Sequence, residues 1–180
     1  NISPPAENFF EMAFLVDALK RGGAKVVLFL TYLSYARQDK IREEGEALSI
    51  EVICNFIKSF RLDKIIILHG HSSEIKKYLN VSSIIPIKDI KDISKEIDYL
   101  IAPDKGSKRW IKKISRLLEI PFITLHKKRI SPQKIELEDL NMDLKNKKIL
   151  ILDDMISTGK TMLETVQLIN EKGAKEIRVY

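Results

Sequence analysis

Asp153-Asp154-Met155-Ile156-Ser157-Thr158-Gly159-Lys160-Thr161 follows a short apolar run, Lys148–Leu152, and leads into a helical pattern. Two carboxylates at a strand end, then a Ser/Thr/Gly loop at a helix N-terminus, suit a sugar phosphate. The loop amides and hydroxyls can hold the phosphate, helped by the helix dipole. The carboxylates can accept hydrogen bonds from ribose hydroxyls or reach a metal. Gly159-Lys160-Thr161 also matches the end of a Walker A loop, but that pattern needs a glycine five positions before Gly159. Asp154 stands there, so the Walker reading fails. The remaining alternative is an ordinary turn with an Asp pair capping the helix.

Four other segments carry chemistry-bearing residues just after an apolar run. Arg37-Gln38-Asp39 puts a guanidinium, an amide and a carboxylate on one loop, and Arg suits phosphate bidentately. His69-Gly70-His71 offers ring nitrogens that can ligate a metal. Pro103-Asp104-Lys105-Gly106 reads as an Asp–Gly turn or as a carboxylate held out at a strand end. His126-Lys127-Lys128-Arg129 is either a basic loop in water or a set of fixed cations.

The runs that would position these residues are Lys25–Leu30, Lys64–Leu68, Tyr99–Ala102, Phe122–Leu125, Lys148–Leu152 and Glu176–Val179. They are continuously apolar rather than alternating, as strands buried on both faces are. Between them, apolar residues recur near a 3.6 period over Phe9–Arg21, Ala47–Phe60, Ser107–Leu118 and Thr161–Lys172. Gly22-Gly23 and Gly173 are expected helix stops, and Ser107 an expected N-cap. Alternating strands and helices of these lengths predict an α/β chain with mainly parallel sheets flanked by helices. In such sheets ligands bind beyond the carboxyl ends of the strands, where all five segments lie. Residues Val81–Asp92 shift in composition, with Ser82-Ser83 and Pro86, and mark the expected boundary between two units.

Taken in order, these motifs resemble the ribose-phosphate pyrophosphokinase (phosphoribosyl-pyrophosphate synthetase) family, closest to its archaeal-type members. Apolar strand–Asp-Asp-x-x-x-Thr-Gly-x-Thr looks like the phosphoribosyl-pyrophosphate loop of the type I phosphoribosyltransferase fold. Tyr35-Ala36-Arg37-Gln38-Asp39-Lys40, followed by Gly45-Glu46-Ala47-Leu48-Ser49, resembles the ATP loop of the synthetases, which simple phosphoribosyltransferases lack. His126–Arg129 with Ile130-Ser131-Pro132 continues the likeness. The family has a small residue where Lys160 stands, and Asp or Asn where His69 stands.

The resemblance implies two phosphoribosyltransferase-like domains, 1–86 on the ATP side and 87–180 on the ribose 5-phosphate side. Both are expected to be incomplete at the chain ends, since the sequence opens on Asn1 and stops at Tyr180 within a strand pattern. It implies transfer of the pyrophosphoryl group of ATP to C1 of ribose 5-phosphate, giving 5-phosphoribosyl 1-pyrophosphate and AMP. Carried over residue by residue, Lys127 and Arg129 are catalytic, and Arg37, Gln38, Asp39 and His71 bind ATP. Arg129, Asp153, Asp154, Ser157, Thr158, Gly159, Lys160 and Thr161 bind ribose 5-phosphate, and His71 and Asp104 bind Mg2+. A homo-oligomer with ATP sites at subunit interfaces is implied. A phosphoribosyltransferase would leave Tyr35–Lys40 and Lys127–Arg129 without a role. A non-catalytic homologue acting as a regulatory subunit is the other alternative.

Composition excludes several classes. The apolar share is 44% and the charged share 31% over 180 residues, a globular mix. No apolar run approaches the roughly 20 residues of a membrane span, so no membrane partner is expected. One cysteine, Cys54, forms no internal disulfide and fits a reducing compartment, so a cytoplasmic protein is expected. The net charge of +6 is moderate, with basic residues gathered at Lys105–Arg116 and Lys127–Arg129. A single aromatic residue, Trp110, lies among them, not the series of interleaved aromatics that stacking platforms require, so no nucleic-acid partner is expected.

Overall fold

The structure, a computed structural model, describes residues 7–69, 74–131, 134–138 and 143–180, with backbone alone over 126–131 and 134–138. The chain divides into two compact units, 1–86 and 87–180.

The first unit runs α1 (Glu7–Arg21), β1 (Val27–Leu30), α2 (Ser49–Ser59), β2 (Lys64–Leu68), α3 (Ile75–Tyr78) and β3 (Ser82–Ile84). Its three strands form a parallel sheet in the order β1-β2-β3. Leu30, Ile65 and Ile67 pack against Ile50, Cys54 and Ile57 of α2, all buried. Burial pushes the Cys54 thiol up to about 11, so it stays protonated and behaves as a small apolar group.

The second unit runs α4 (Ile87–Ile93), β4 (Tyr99–Ala102), α5 (Lys108–Leu118), β5 (Phe122–Thr124), β6 (His126–Ser131), β7 (Lys134–Glu138), β8 (Lys148–Ile151), α6 (Lys160–Glu171) and β9 (Glu176–Val179). Four strands form a parallel sheet in the order β5-β4-β8-β9, and β6 and β7 form a separate antiparallel pair. Leu100, Ile101, Ile149, Leu150 and Ile151 are each 0% exposed, the burial that their unbroken apolar runs predict.

The same device starts both sheets. The Asp63 carboxylate accepts the Val26 N–H at 2.8 Å, and the Asp98 carboxylate accepts the Lys148 N–H at 2.8 Å. Each ties the entry to one strand to the entry of its neighbour. The Lys148 N–H holds the Asp98 carboxyl below its ordinary range.

Three expectations need correction. His126–Arg129 is not loop but the first part of β6, paired with β7 through His126↔Glu138, Lys127↔Leu137 and Arg129↔Ile135. The alternating Lys134-Ile135-Glu136-Leu137-Glu138 supplies the partner strand. The run Lys25–Leu30 is not buried on both faces, since Val27 and Phe29 of β1 are 55% and 49% exposed. Ser107 makes no side-chain cap and has helical backbone angles. Among the described residues no helix is long and apolar enough to cross a membrane.

Candidate functional site

In the first unit the segment after β1 is held from beneath. Leu33, Ser34 and Ala36 are 3%, 2% and 2% exposed, whereas Arg37 and Gln38 stand in solvent. Burying these three side chains fixes the turn while leaving the guanidinium and the amide outward. Tyr35 reaches this arrangement with φ of 65°, a left-handed conformation that a bulky residue adopts at a cost. Its ring lies against Phe9 of α1, with centroids 6.1 Å apart.

Gln38 is fastened to the start of α2. The Ser49 hydroxyl donates to Gln38 Oε1 at 2.6 Å, and the Ile50 N–H donates to the Gln38 carbonyl at 3.3 Å. Ser49 was not among the expected site residues. The contact spans eleven positions, a distance at which sequence spacing gives no sign. Asp39 follows, half-buried. At the exit of β2, His69 also has positive φ, 41°, and its N–H donates to the Ile84 carbonyl at 2.8 Å. His71 lies outside the described residues.

In the second unit β4 leads on to β5 on one side, while β8 joins β4 on the other. The chain therefore changes direction between β4 and β8, which is where open α/β sheets form a ligand crevice. The loops leaving these two strands carry Asp104 and the pair Asp153-Asp154. Asp104 is exposed, with Pro103 buried beneath it. Its Oδ1 accepts the Ser107 N–H at 2.9 Å, and the Ser107 hydroxyl donates to the Asp104 carbonyl at 3.0 Å. Asp104 thus does the capping work expected of Ser107, and Ser107 holds the turn in exchange. An Asp three residues ahead of a Ser at a helix start was a legible signal for this. A Cβ on Gly106 would sit 3.2 Å from Asp104 Oδ1, so the turn favours a residue without one.

Asp153 and Asp154 are both half-buried. The Asp154 N–H donates to Asp153 Oδ1 at 2.9 Å, and the Asp153 N–H donates to the Tyr180 carbonyl at 3.0 Å beyond β9. Burial above all, then the Asp154 carboxyl, and last the more distant charge of Asp104 push the Asp153 carboxyl up to about 6. Ser157 and Thr158 stand exposed in the following turn. Gly159 then takes φ of 77°, and α6 begins at Lys160. The Thr158 hydroxyl accepts the Lys160 N–H at 3.4 Å. Lys160 Nζ lies 3.9 Å from a Glu164 oxygen, an i,i+4 pair on the outer face. Thr161 is exposed in the first turn of α6. The loop therefore presents hydroxyls and a helix N-terminus beside two carboxylates.

The expected residues thus fall into separate groups: Arg37, Gln38 and Asp39 in the first unit, and Asp104, Asp153, Asp154 and 157–161 in the second. Lys127 and Arg129 lie on β6. Among the described residues no group of three or more His, Cys, Asp or Glu is placed to enclose a metal ion. Asp104 offers a hard oxygen ligand from an exposed carboxylate. The negative charge gathered around Asp153 is one that a divalent cation would relieve. Such a donor set fits a cation that keeps most of its ligands as water and substrate oxygens, as Mg2+ does.

Residues 71–180 match the family described as "Phosphoribosyl transferase domain", and residues 1–60 match the "N-terminal domain of ribose phosphate pyrophosphokinase". The chain is 31% identical over 182 residues to the ribose-phosphate pyrophosphokinase of Pyrococcus furiosus, covering 98% of this chain and 65% of that protein. With the ribose-phosphate pyrophosphokinase of Methanobrevibacter smithii it shares 34% identity over 196 residues, again 98% of this chain and 65% of that protein. It therefore spans just under two thirds of the length of these relatives. The crystal structure of phosphoribosylpyrophosphate synthetase from Mycobacterium smegmatis superposes with a TM-score of 0.81 at 29% identity, over 95% of this chain and 58% of that one. The phosphoribosyl transferase match takes in more than half of the chain, and the chain belongs to the phosphoribosyl transferase domain family, grouping there with the ribose-phosphate pyrophosphokinases.

Proposed function

We propose that the protein is a ribose-phosphate diphosphokinase, moving the pyrophosphoryl group of ATP to C1 of ribose 5-phosphate and releasing AMP. The observation that carries this reading is the β8–α6 segment. A buried apolar strand ends in two adjacent carboxylates, followed by exposed hydroxyls and a helix N-terminus. The kinship with ribose-phosphate pyrophosphokinases supplies the reaction class.

In this reading residues 1–86 serve ATP and residues 87–180 serve ribose 5-phosphate. Arg37, Gln38 and Asp39 orient ATP, with Gln38 kept in place by Ser49. Asp153 and Asp154 accept hydrogen bonds from the ribose hydroxyls. Ser157, Thr158, Gly159 and Thr161 enclose the 5-phosphate, helped by the α6 dipole, and Lys160 adds a cation at the rim. The C1 hydroxyl then attacks the β-phosphorus, and AMP leaves. Lys127 and Arg129 offset the negative charge that develops on the transferred group, and Arg129 also steadies ribose 5-phosphate. Asp104 and His71 hold Mg2+, which when bound neutralises phosphate charge.

The protein acts as a homo-oligomer in the cytoplasm, with ATP bound where subunits meet. Phe10, Phe14 and Leu19 of α1 and Val27 and Phe29 of β1 support the oligomer, being 42% to 72% exposed. Large apolar side chains left this exposed call for a covering surface. Incubation of the intact protein with ATP, Mg2+ and ribose 5-phosphate should give AMP in equal amount to 5-phosphoribosyl 1-pyrophosphate. Absence of AMP overturns the reading.

A further inference from the structure

The outward face of α5 takes no part in the site proposed above. Its sequence, Lys108-Arg109-Trp110-Ile111-Lys112-Lys113-Ile114-Ser115-Arg116-Leu117-Leu118, contains several cations and no carboxylate. With Lys105 just ahead, the charges fall three and four residues apart, a spacing that a helix stacks into one stripe. Ile111 and Ile114, each 0% exposed, turn inward, and Lys108, Arg109, Lys112, Lys113 and Arg116 are exposed. From Lys108 to Arg116 the helix rises about 12 Å. Together with Lys105 these residues carry as much positive charge as the formal net +6 of the whole chain. The rest of the molecule is formally neutral.

Much of this stripe works against the stability of α5. Lys108 and Arg109 occupy the first turn, where the helix dipole favours carboxylates. Lys108/Lys112, Arg109/Lys113 and Lys112/Arg116 are like-charge pairs at i,i+4, which destabilise a helix. Among the described residues no carboxylate forms an ion pair with Lys108, Lys112, Lys113 or Arg116. An external polyanion would relieve the repulsion.

We propose that the α5 stripe binds the phosphodiester backbone of a nucleic-acid strand without reading its sequence. The expectation of no nucleic-acid partner rested on missing aromatic stacking, whereas backbone contact requires only cations. Two other kinds of partner fit less well. Protein interfaces are poor in Lys and centred on aromatic or apolar anchors, and the exposed apolar side chain on this helix is Leu117 alone. A membrane surface helix needs a free apolar face, and here that face lies in the core. A stripe of this length spans about three to four phosphates, taking roughly 3.4 Å of axis per phosphate on one strand.

Fluorescence anisotropy of a labelled, mixed-sequence 20-nucleotide single-stranded RNA with the intact protein tests this. The affinity should fall between 50 and 200 mM salt with a log–log slope of about −2 to −3, at roughly 0.7 per phosphate contacted. The triple variant Lys112→Gln, Lys113→Gln, Arg116→Gln should bind at least tenfold more weakly, with a slope shallower by about 2. It should melt no lower than the parent, because it removes like-charge pairs. The double variant Lys112→Arg, Lys113→Arg should bind as the parent does. Equal affinity of the parent and the triple variant, a flat salt dependence, or equally tight binding of poly-L-glutamate would each overturn the proposal. The last outcome would point to an acidic protein instead.

Discussion

The Asp154 backbone N–H points at the Asp153 carboxylate, 2.9 Å away, so two neighbouring acids share one strand end with a donor between them. That donor favours the ionised form of Asp153, yet burial and the second carboxyl outweigh it, and the group sits at about 6. The folded protein thus holds a proton on Asp153 more tightly than an unfolded chain, whose Asp titrates near 3.8. Between those two values the folded state binds more protons, so stability falls as pH rises from about 4 to about 6 and levels off above. Asp153→Asn keeps an acceptor for the Asp154 N–H and removes the charge. It should match the parent near pH 3.5 and exceed it by about 1 kcal/mol at pH 7, a figure reduced for solvent screening of a half-exposed group. Urea melts at the two pH values measure this. A variant less stable than the parent at pH 7 would refute it.

The Asp104 turn depends on the absence of a side chain at Gly106. Gly106→Ala sets a methyl 3.2 Å from Asp104 Oδ1, and the carboxylate must shift away from the Ser107 N–H. Loss of that bond should cost about 1 kcal/mol in thermal or denaturant melts. If Asp104 serves the metal, kcat/KM should fall about tenfold or more as well. Unaltered stability would mean that the turn absorbs the methyl without moving Asp104.

Ser49→Ala releases Gln38 Oε1 while leaving the Ile50 N–H bond in place. One neutral hydrogen bond of about 1 kcal/mol corresponds to a rise of about fivefold in KM for ATP, with kcat nearly unchanged. Steady-state kinetics at saturating ribose 5-phosphate separate the two parameters. A fall confined to kcat would remove Gln38 from ATP positioning.

Lys127→Ala should lower kcat by roughly 100-fold to 1000-fold with little change in either KM, because the contact proposed for it strengthens as charge develops in transfer. A variant with parental kcat would take Lys127 out of the mechanism.

Most of the frame was legible because apolar strands leave a plain trace, whether buried on both faces, as β4 and β8 are, or mainly on one, as β2 is. Ile65–Ile67, Leu100–Ala102 and Ile149–Leu152 read as strands from apolar content alone, and Ile111 and Ile114 marked the inner face of α5. What escaped lacked that trace. Strand β3 is exposed throughout and contributes Ser82 and Ser83. Helix α3 is four residues long, too short to show a period. Strand β6 is dominated by charge, and only its partner Lys134–Glu138 alternates. The acids and cations proposed for the site were visible as motifs. Ser49 and Ser107 hold two of them: the Ser49 contact depends on how the chain folds back and left no trace, whereas the Asp104–Ser107 turn is local and its spacing was legible.

Asp104 is at once the proposed ligand-facing carboxylate and the acceptor that anchors the start of α5. Trp110, the one tryptophan of the chain, stands half-buried in the first turn of that helix. Any cation that draws on Asp104 therefore pulls on the turn next to the indole. The molecule carries its own optical gauge: tryptophan emission should follow occupancy of the Asp104 loop, with no label attached.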